Sequence, residues 1–425
     1  MHFAIFGTMN SFTVFLDGMM NDATLAYPSQ TELSLGNSIA MGLTPVFGLL
    51  GGFLSDRFHP RILLLVAMAA LYVSLLAGAL WAKTGVGVAL SFALPLSFAA
   101  GMMITPVIAA TSSWFDKHQS SAIGLVFAGG GCGSLIFPLY IESFLNHYGW
   151  RTTFRFLTIL VGTGVIGAVL VEKRSQPSLN VGTDAGVEYT LAAVPDSKTR
   201  TFRNAHLRPR EIVRFIFTPM LMVSFLCQIF YLFSFSSAIY LPVPLALTMG
   251  KEGTVYHAFA RIDSDAAGRL LTWFGIAQTA GAILSGFVSA HVGGEAVFCF
   301  CSAIAAIGFC LLALSTAYVA LSFSVMVLAF SVSGMLSTYP AILTKIYHGA
   351  NLGLSMSLVF LAGCVSGLAA APVQSAMQSA KNNDYTYGCV VAAGCAVGAA
   401  YACYFFQWKC KYEVMELIDK ELSPV

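Results

Sequence analysis

The feature that most constrains this chain is a series of about twelve long apolar runs separated by shorter polar stretches. The hydrocarbon core of a bilayer is about 30 Å thick, so a crossing helix needs roughly 20 mostly apolar residues. The runs therefore predict an all-α, polytopic membrane protein with twelve transmembrane helices. The predicted spans are 3–20, 35–54, 62–82, 86–114, 121–145, 152–172, 215–241, 267–290, 295–317, 319–343, 352–376 and 386–408.

The composition excludes several classes of function. Only 10% of the 425 residues are charged, against roughly 25% in an average soluble domain, which excludes a soluble enzyme. The net charge of +2 leaves no basic excess that would bind nucleic acid. The cysteines form no CxxC pair, and the eight histidines fall in loops or at helix ends. We therefore predict no enzyme activity, no cofactor and no metal site.

A polar stretch at 173–211 divides the predicted spans into six plus six. We predict a first six-helix bundle at 1–172, a cytosolic linker at 173–211, a second bundle at 212–408 and a cytosolic tail at 409–425. With both termini inside, the inner loops and the tail carry 15 of the 22 lysines and arginines. This bias fits the positive-inside rule. The plasma membrane is the predicted location.

The two halves of the chain repeat short motifs at nearly one offset. The four residues from Gly52, GFLS, recur as GFVS from Gly286, 234 positions later. The three residues from Leu125, LVF, recur from Leu358, 233 positions later. A duplicated six-helix unit is typical of transporters in which two bundles face a central cavity.

The loop after the second span carries Gly52, Asp56, Arg57 and Arg61 at the spacing Gly-x-x-x-Asp-Arg-x-x-x-Arg. It resembles the signature between helices two and three of the major facilitator superfamily, although that pattern continues with glycine and two basic residues. Gly52 permits close helix approach. Asp56 is able to accept hydrogen bonds from arginine and from a helix N-terminus. We interpret the four residues as a conformational latch, with a plain solvated turn as the alternative.

Further motifs are similar to the monocarboxylate-transporter branch of that superfamily. They are Trp114-Phe115-x-Lys117-His118, Ala122-x-Gly124-Leu125-x-x-Ala128-Gly129-x-x-x-Gly133, Gly149-Trp150-Arg151-x-x-Phe154, Ile239-Tyr240-Leu241-Pro242 and Gly349-x-x-x-Gly353. The resemblance implies the major facilitator fold, with two pseudo-symmetric six-helix bundles around a midplane cavity. The glycine run at 129–133 lies inside a predicted span, so we interpret it as helix packing rather than a nucleotide loop.

The charged residues that this branch typically uses are missing here. In the resembling family a lysine stands in the first span, and an aspartate and an arginine stand one turn apart in the eighth. Alignment on the neighbouring motifs places Asn10, Gln278 and Ala282 at these positions. A glutamine does not titrate, so the sequence predicts weak or absent proton coupling through span eight.

Neutral polar side chains remain on three predicted helix faces. Residues three or four apart share a face of a helix. The faces are Asn10, Thr13 and Asp17 on span one, Ser224, Gln228 and Tyr231 on span seven, and Gln278, Ser285 and Ser289 on span eight. We predict that Asn10, Tyr231 and Gln278 reach a wet, mainly neutral cavity, and Thr13 and Gln228 are further substrate-pathway candidates. Contacts between helices are the alternative for any single residue.

Two charged residues complete the set of candidate site residues. Arg155, in span six, is a candidate counter-ion for a substrate. The alternatives are that its side chain extends outward or pairs with Glu142. Asp17 is the best remaining candidate for a proton site, and a position at the outer rim is the alternative.

We predict that the protein moves a small organic solute by alternating access. The resemblance alone implies monocarboxylates such as lactate or pyruvate. A carrier of neutral or zwitterionic solutes such as amino acids stays open. So does a receptor or chaperone subunit that has lost transport, which predicts a cavity filled by bulky apolar side chains. The expected partners are a small-molecule substrate and the lipid bilayer, and an accessory membrane subunit stays open.

Overall fold

Helices account for almost all of the chain that the computed structural model describes. The described residues are 1–20, 22–25, 27–28, 30–55, 57–115, 118–172, 219–250, 256, 259, 261–262, 264–346, 352–380 and 384–422. Within several helices only the backbone is described. The predicted linker at 173–211, the latch residue Asp56 and the last residues of the predicted tail lie outside the described residues.

The helical segments, numbered here as spans 1 to 12, follow the predicted order. Spans 1 to 6 are His2–Asn10 with Leu16–Met20, Gln30–Ser55, Pro60–Trp81, Gly85–Trp114, Gln119–Leu145 and His147–Leu170. Spans 7 to 12 are Pro219–Tyr240 with Pro242–Thr248, Ser264–Val292, Gly294–Ala313, Tyr318–Ile346, Leu352–Leu361 with Gly363–Ala380, and Thr386–Leu422. Span 12 continues beyond its predicted end at 408 into the predicted tail.

Eleven of the described helical segments are long and apolar enough to cross a membrane. The twelfth is span 1, in which no single helix reaches that length because the helix is interrupted. The first helix ends at Asn10, Phe12–Phe15 forms a 3-10 turn, and a short helix follows at Leu16–Met20. The predicted all-helical membrane fold is confirmed.

Span 11 is interrupted as well. One helix ends at Leu361 and the next begins at Gly363, with the amide of Ala362 donating to the carbonyl of Val359 in the turn between them. Interrupted helices inside a bundle expose backbone groups, and in transporters they occur next to binding sites.

Proline and glycine residues explain where other helices begin and bend. Span 3 begins with Pro60 after a His59 N-cap, because proline suits the first turn of a helix. Spans 5 and 6 form one long helical run that bends at Gly149, with φ 71° and ψ 167°. A side chain at this position would be strained, so glycine permits the reversal.

Spans 5 and 8 form the closest contact between the two halves of the chain. A Cβ added to Gly124 would lie 2.6 Å from the carbonyl oxygen of Ala282 and 2.9 Å from the Cα of Gly286. A Cβ at Gly131 would lie 2.5 Å from the backbone nitrogen of Thr279. Small residues thus bring the two backbones together, which confirms the helix-packing interpretation of the glycine run.

Spans 2 and 11 form a second contact between the halves. A Cβ at Gly367 would lie 2.9 Å from the Cα of Gly42. Two close helix pairs, spans 5 and 8 and spans 2 and 11, therefore hold the halves together.

Candidate functional site

Asn10 lies at the end of the first helix of span 1 and points into the protein. Its side chain is 3% exposed, and its Nδ2 donates to the Oγ of Ser134 on span 5 at 2.8 Å. Ser134 in turn donates to the carbonyl of Gly130 at 3.1 Å. The Oδ1 of Asn10 is buried without a partner among the described residues. Leaving a buried polar atom unpaired costs about 1–3 kcal/mol, so a hydrogen bond donated to this oxygen would stabilise the protein.

Gln278 occupies a comparable position on span 8. Gln278 is 1% exposed, and its Oε1 is buried without a partner in the described part of the chain. Its backbone carbonyl accepts a hydrogen bond from the Oγ of Ser333 on span 10 at 2.7 Å. The next residue, Thr279, is the one that packs against Gly131 of span 5. Gln278 therefore lies close to the contact between the halves.

Gln228 lies beside the interruption of span 11. It is 4% exposed, and its Oε1 also lacks a partner among the described residues. A Cβ added to Gly363, the first residue after the interruption, would lie 3.2 Å from the Nε2 of Gln228. Asn10 and Gln228 are thus each next to a helix interruption, and each leaves an amide oxygen unpaired.

Tyr231 lies in an aromatic cluster within the second half of the chain. Its ring centroid is 6.1 Å from that of Phe298 on span 9 and 5.7 Å from that of Tyr339 on span 10. These neighbours belong to its own half of the chain, so the geometry favours a packing role over the predicted position at the cavity.

Further residues of the predicted faces fall into two groups: some are held by helix contacts, and others have side chains that the structure does not describe. Ser285 donates to the carbonyl of Gly281 at 2.6 Å and shares a hydrogen bond with Ser337 at 2.7 Å. Ser289 bonds the carbonyl of Gly286 at 2.9 Å. Both serines are therefore satisfied by helix contacts. The side chains of Thr13 and Asp17 lie outside the described residues, and their roles stay predictions.

Arg155 is exposed on the surface of span 6. No ion pair joins it to Glu142 in the part of the chain that the structure describes. An exposed guanidinium fits the alternative in which the side chain extends outward. The counter-ion role of Arg155 stays a prediction.

Sequence reasoning missed several buried polar groups. Ser11 and Thr105 each have a hydroxyl oxygen without a partner among the described residues, and so does the Oε1 of Gln374 on span 11. His2 was expected at a helix end, but it is also 4% exposed, stacked on Phe6 and without a partner at Nε2. No sequence signal marks Ser11, because the helix interruption beside it has no proline and lies within a predicted span.

The described latch residues lie where span 2 ends and span 3 begins. Gly52 is buried, and Arg57 is exposed with its guanidinium 4.2 Å from the centroid of the Phe53 ring. The Nε of Arg61 donates to the carbonyl of Val171 at 2.7 Å, and its Nη2 lies 3.9 Å from a carboxylate oxygen of Glu172. Arg61 thus ties the start of span 3 to the end of span 6.

The Gly-Trp-Arg motif forms a group of contacts, called a clasp here, at the end of span 3 and the start of span 6. This is the end of the two helices opposite to Arg61. Trp150 Nε1 donates to Asp22 Oδ2 at 2.6 Å, and Arg151 donates to the carbonyls of Ala79 and Ala82 at 3.0 Å and 2.7 Å. Burial opposes ionisation of Asp22, but hydrogen bonds from Trp150 and Thr24 and the charge of Arg151 outweigh it, so the pKa of Asp22 lies below its usual value. The clasp joins spans 1, 3 and 6.

A second clasp joins the loops after spans 7 and 11. The hydroxyl of Tyr256 donates to Asp384 Oδ1 at 3.3 Å and accepts from the backbone nitrogen of Tyr385 at 3.0 Å. Burial is the main cause that raises the pKa of Tyr256 to about 12. The clasp thus connects Tyr256, in the loop after span 7, to the residues just before span 12.

The helical architecture, the two halves in close contact and the buried neutral amides define a membrane solute carrier. Residues 1–260 match the family model of the Major Facilitator Superfamily. The chain belongs to this superfamily.

The names of two similar proteins state a substrate. The chain is 35% identical to the riboflavin transporter RibJ of Trypanosoma cruzi, with 96% of this chain and 91% of the relative covered. It is 29% identical to the riboflavin transporter RibJ of Trypanosoma brucei brucei, with 99% and 94% covered.

One solved structure confirms the fold. The E. coli fucose:proton symporter FucP superposes with a TM-score of 0.66 at 13% sequence identity, with 95% of this chain and 96% of that chain covered. At this identity the likeness is one of fold alone.

Proposed function

We propose that this protein carries riboflavin across a membrane by alternating access. The observation that carries the proposal is the likeness, along nearly the whole chain, to two riboflavin transporters. The chemistry of the interior supports it. Riboflavin is uncharged at neutral pH, and its ring carbonyls, ring N–H and ribityl hydroxyls suit buried amides such as Asn10, Gln228 and Gln278.

The neutral interior does not favour a monocarboxylate. A carboxylate taken out of water needs a cation or several donors, since an unpaired buried charge costs several kcal/mol. Asn10 and Ala282 stand where the resembling branch has its lysine and arginine. The two relatives compared above are riboflavin carriers, so riboflavin replaces lactate and pyruvate as the proposed substrate.

A carrier is also favoured over a receptor that has lost transport. A lost site would be filled by bulky apolar side chains, whereas Asn10, Gln228 and Gln278 keep unpaired amide oxygens in the interior. Polar groups of this kind are costly and persist where they have a function.

Growth of an auxotroph tests the proposal. The full chain is expressed in a bacterial strain that neither makes nor imports riboflavin, and growth is measured at limiting external riboflavin. We expect growth at concentrations at which the empty vector gives none. Absence of growth, with the protein present in the membrane fraction, would contradict the proposal.

We further propose the plasma membrane as the location, two six-helix bundles joined by a cytosolic linker, and cytosolic termini. The excess of lysine and arginine in the predicted inner loops supports this orientation. Epitope tags at the two ends should become accessible to antibody only after cells are permeabilised. A C-terminal tag that is stained on intact cells would overturn the orientation.

A further inference from the structure

The buried polar groups of this protein are neutral. Among the side chains that the structure describes, the buried polar ones are serines, threonines, asparagine and glutamines, together with His2, several tyrosines and cysteines, and Trp150. The aspartates, glutamates, lysines and arginines whose side chains are described are all partly or fully exposed. A ligand in the interior would therefore meet hydrogen-bonding groups and no fixed counter-ion.

This neutrality has a consequence for phosphorylated flavins. Flavin mononucleotide has the ring and ribityl chain of riboflavin with a phosphate at the end, which is charged at neutral pH. A buried phosphate is bound in proteins by arginine, lysine, a metal ion or several backbone N–H groups. Hydroxyls and amides alone do not compensate the loss of its hydration.

The side-chain amides of Asn10 and Gln278, near the contact between the halves, suit the uncharged part of the flavin rather than its phosphate. The Nδ2 of Asn10 has two hydrogens, one of which goes to Ser134. Its second hydrogen and its unpaired Oδ1 form an adjacent donor and acceptor. The imide edge of a flavin ring presents an N–H between two carbonyls, so one primary amide makes two hydrogen bonds to it, as amides do with base edges.

Gln278 provides a second unpaired amide oxygen on the other half of the chain. The segment 130–135 of span 5 connects the two amides, because Ser134 binds Asn10 while Gly131 packs against Thr279, the neighbour of Gln278. A ligand held by both amides would contact both halves, which alternating access requires of a substrate.

We infer, on the basis of the proposed function, that this carrier accepts only the uncharged flavin. Asn10 and Gln278 are its specificity-determining residues. The amide of Asn10 pairs with the imide edge of the ring, and the Oε1 of Gln278 accepts a hydrogen bond from a ribityl hydroxyl. The phosphorylated flavin is rejected because the described interior offers its phosphate no cationic side chain.

Competition in proteoliposomes that contain the full chain tests this inference. Uptake of radiolabelled riboflavin is measured against unlabelled riboflavin, N3-methylriboflavin, which lacks the imide N–H, and flavin mononucleotide. We expect N3-methylriboflavin to compete at least about tenfold more weakly than riboflavin, the effect of one or two lost hydrogen bonds. Flavin mononucleotide should compete about a hundredfold more weakly or not at all.

The outcomes separate the two proposals. Without saturable uptake of labelled riboflavin, the proposed function itself fails. With saturable uptake, competition by flavin mononucleotide or by N3-methylriboflavin within threefold of riboflavin overturns the inference and leaves the proposed function standing.

Alanine variants test the residue assignment. In Asn10→Ala, the KM for riboflavin should rise while inhibition by N3-methylriboflavin changes little, so the difference in competition strength between the two flavins narrows. In Gln278→Ala, the KM for riboflavin should also rise. Ser289→Ala is the control, because the hydroxyl of Ser289 is satisfied by the carbonyl of Gly286 within its own helix. A difference in competition strength that stays at its wild-type value in Asn10→Ala, or a KM in Gln278→Ala equal to that of Ser289→Ala, overturns the assignment, and the wild-type competition data remain decisive if a variant fails to fold.

Discussion

At the residue scale, buried polar side chains in this protein have two distinct roles. Ser285 and Ser289 satisfy their hydroxyls within the second half, so they act as helix contacts. Asn10, Gln228 and Gln278 each keep an amide oxygen unpaired. The pattern of polar residues along a helix does not distinguish these roles, because the distinction depends on which neighbouring helix supplies a partner.

The clasp around Asp22 predicts a pH dependence of stability. A carboxyl whose pKa is depressed in the folded state stabilises the fold above its unfolded pKa, about 3.9 for aspartate, and this contribution is lost as the pH falls through the folded value. We expect Asp22→Asn to lower the Tm of the detergent-solubilised protein at pH 7. The difference in Tm between the variant and the wild type should become smaller as the pH approaches 3.

Glu142→Gln is the matched control for Asp22→Asn, since no ion pair of Glu142 occurs among the described residues. Its Tm should follow that of the wild type across the same range. Equal Tm values for Asp22→Asn and wild type at pH 7 would show that the clasp does not stabilise the fold.

At the element scale, the sequence predicted the order of the helices well but not their interruptions. Long apolar runs separated by polar turns indicate where helices begin and end. The interruptions after Asn10 and at Ala362 have no proline and lie within apolar runs, so they depend on neighbouring helices. Spans 5 and 6 were predicted with a gap of six residues, whereas a single glycine, Gly149, bends the helical run.

The contact between spans 5 and 8 predicts a steric effect. A Cβ on Gly286 would lie 2.9 Å from the Cα of Gly124 and 3.0 Å from the carbonyl oxygen of Ser120, both rigid backbone atoms. Gly286→Val should therefore destabilise the protein by about 1–3 kcal/mol and slow transport. Gly268→Ala on the same helix is the control, because no atom lies within 4 Å of its added Cβ. A Tm equal to that of the control would contradict this close packing.

The latch predicts a loss of rate rather than a change of substrate. Arg61→Ala removes the hydrogen bond to Val171, so we expect slower turnover with the KM and the amount of protein in the membrane nearly unchanged. Asp56→Asn and Arg57→Ala should act in the same direction. Initial rates of riboflavin uptake across a concentration series measure both constants, and an altered preference among flavins at unchanged turnover would argue against a latch.

At the scale of the whole molecule, the described interior offers little to couple transport to protons. Gln278 does not titrate. Among the side chains that the structure describes, His2 is the one buried histidine, and no aspartate, glutamate, lysine or arginine is buried. A pH gradient drives accumulation only when some group binds protons differently in the two conformations. We therefore expect an inward proton gradient, at fixed membrane potential, to leave the steady-state riboflavin level in proteoliposomes unchanged.

Accumulation of riboflavin several-fold above equilibrium would contradict that expectation. His2→Gln and Asp17→Asn would then identify the proton site, because the variant that lacks it should equilibrate riboflavin without concentrating it.

The central claim is that this carrier recognises an uncharged flavin through neutral side chains. Its most direct test compares initial uptake of radiolabelled riboflavin and radiolabelled lactate in the same proteoliposomes, with protein-free liposomes as the baseline. We predict saturable riboflavin uptake above the baseline and lactate uptake at the baseline. Riboflavin uptake at the baseline together with saturable lactate uptake would contradict the account.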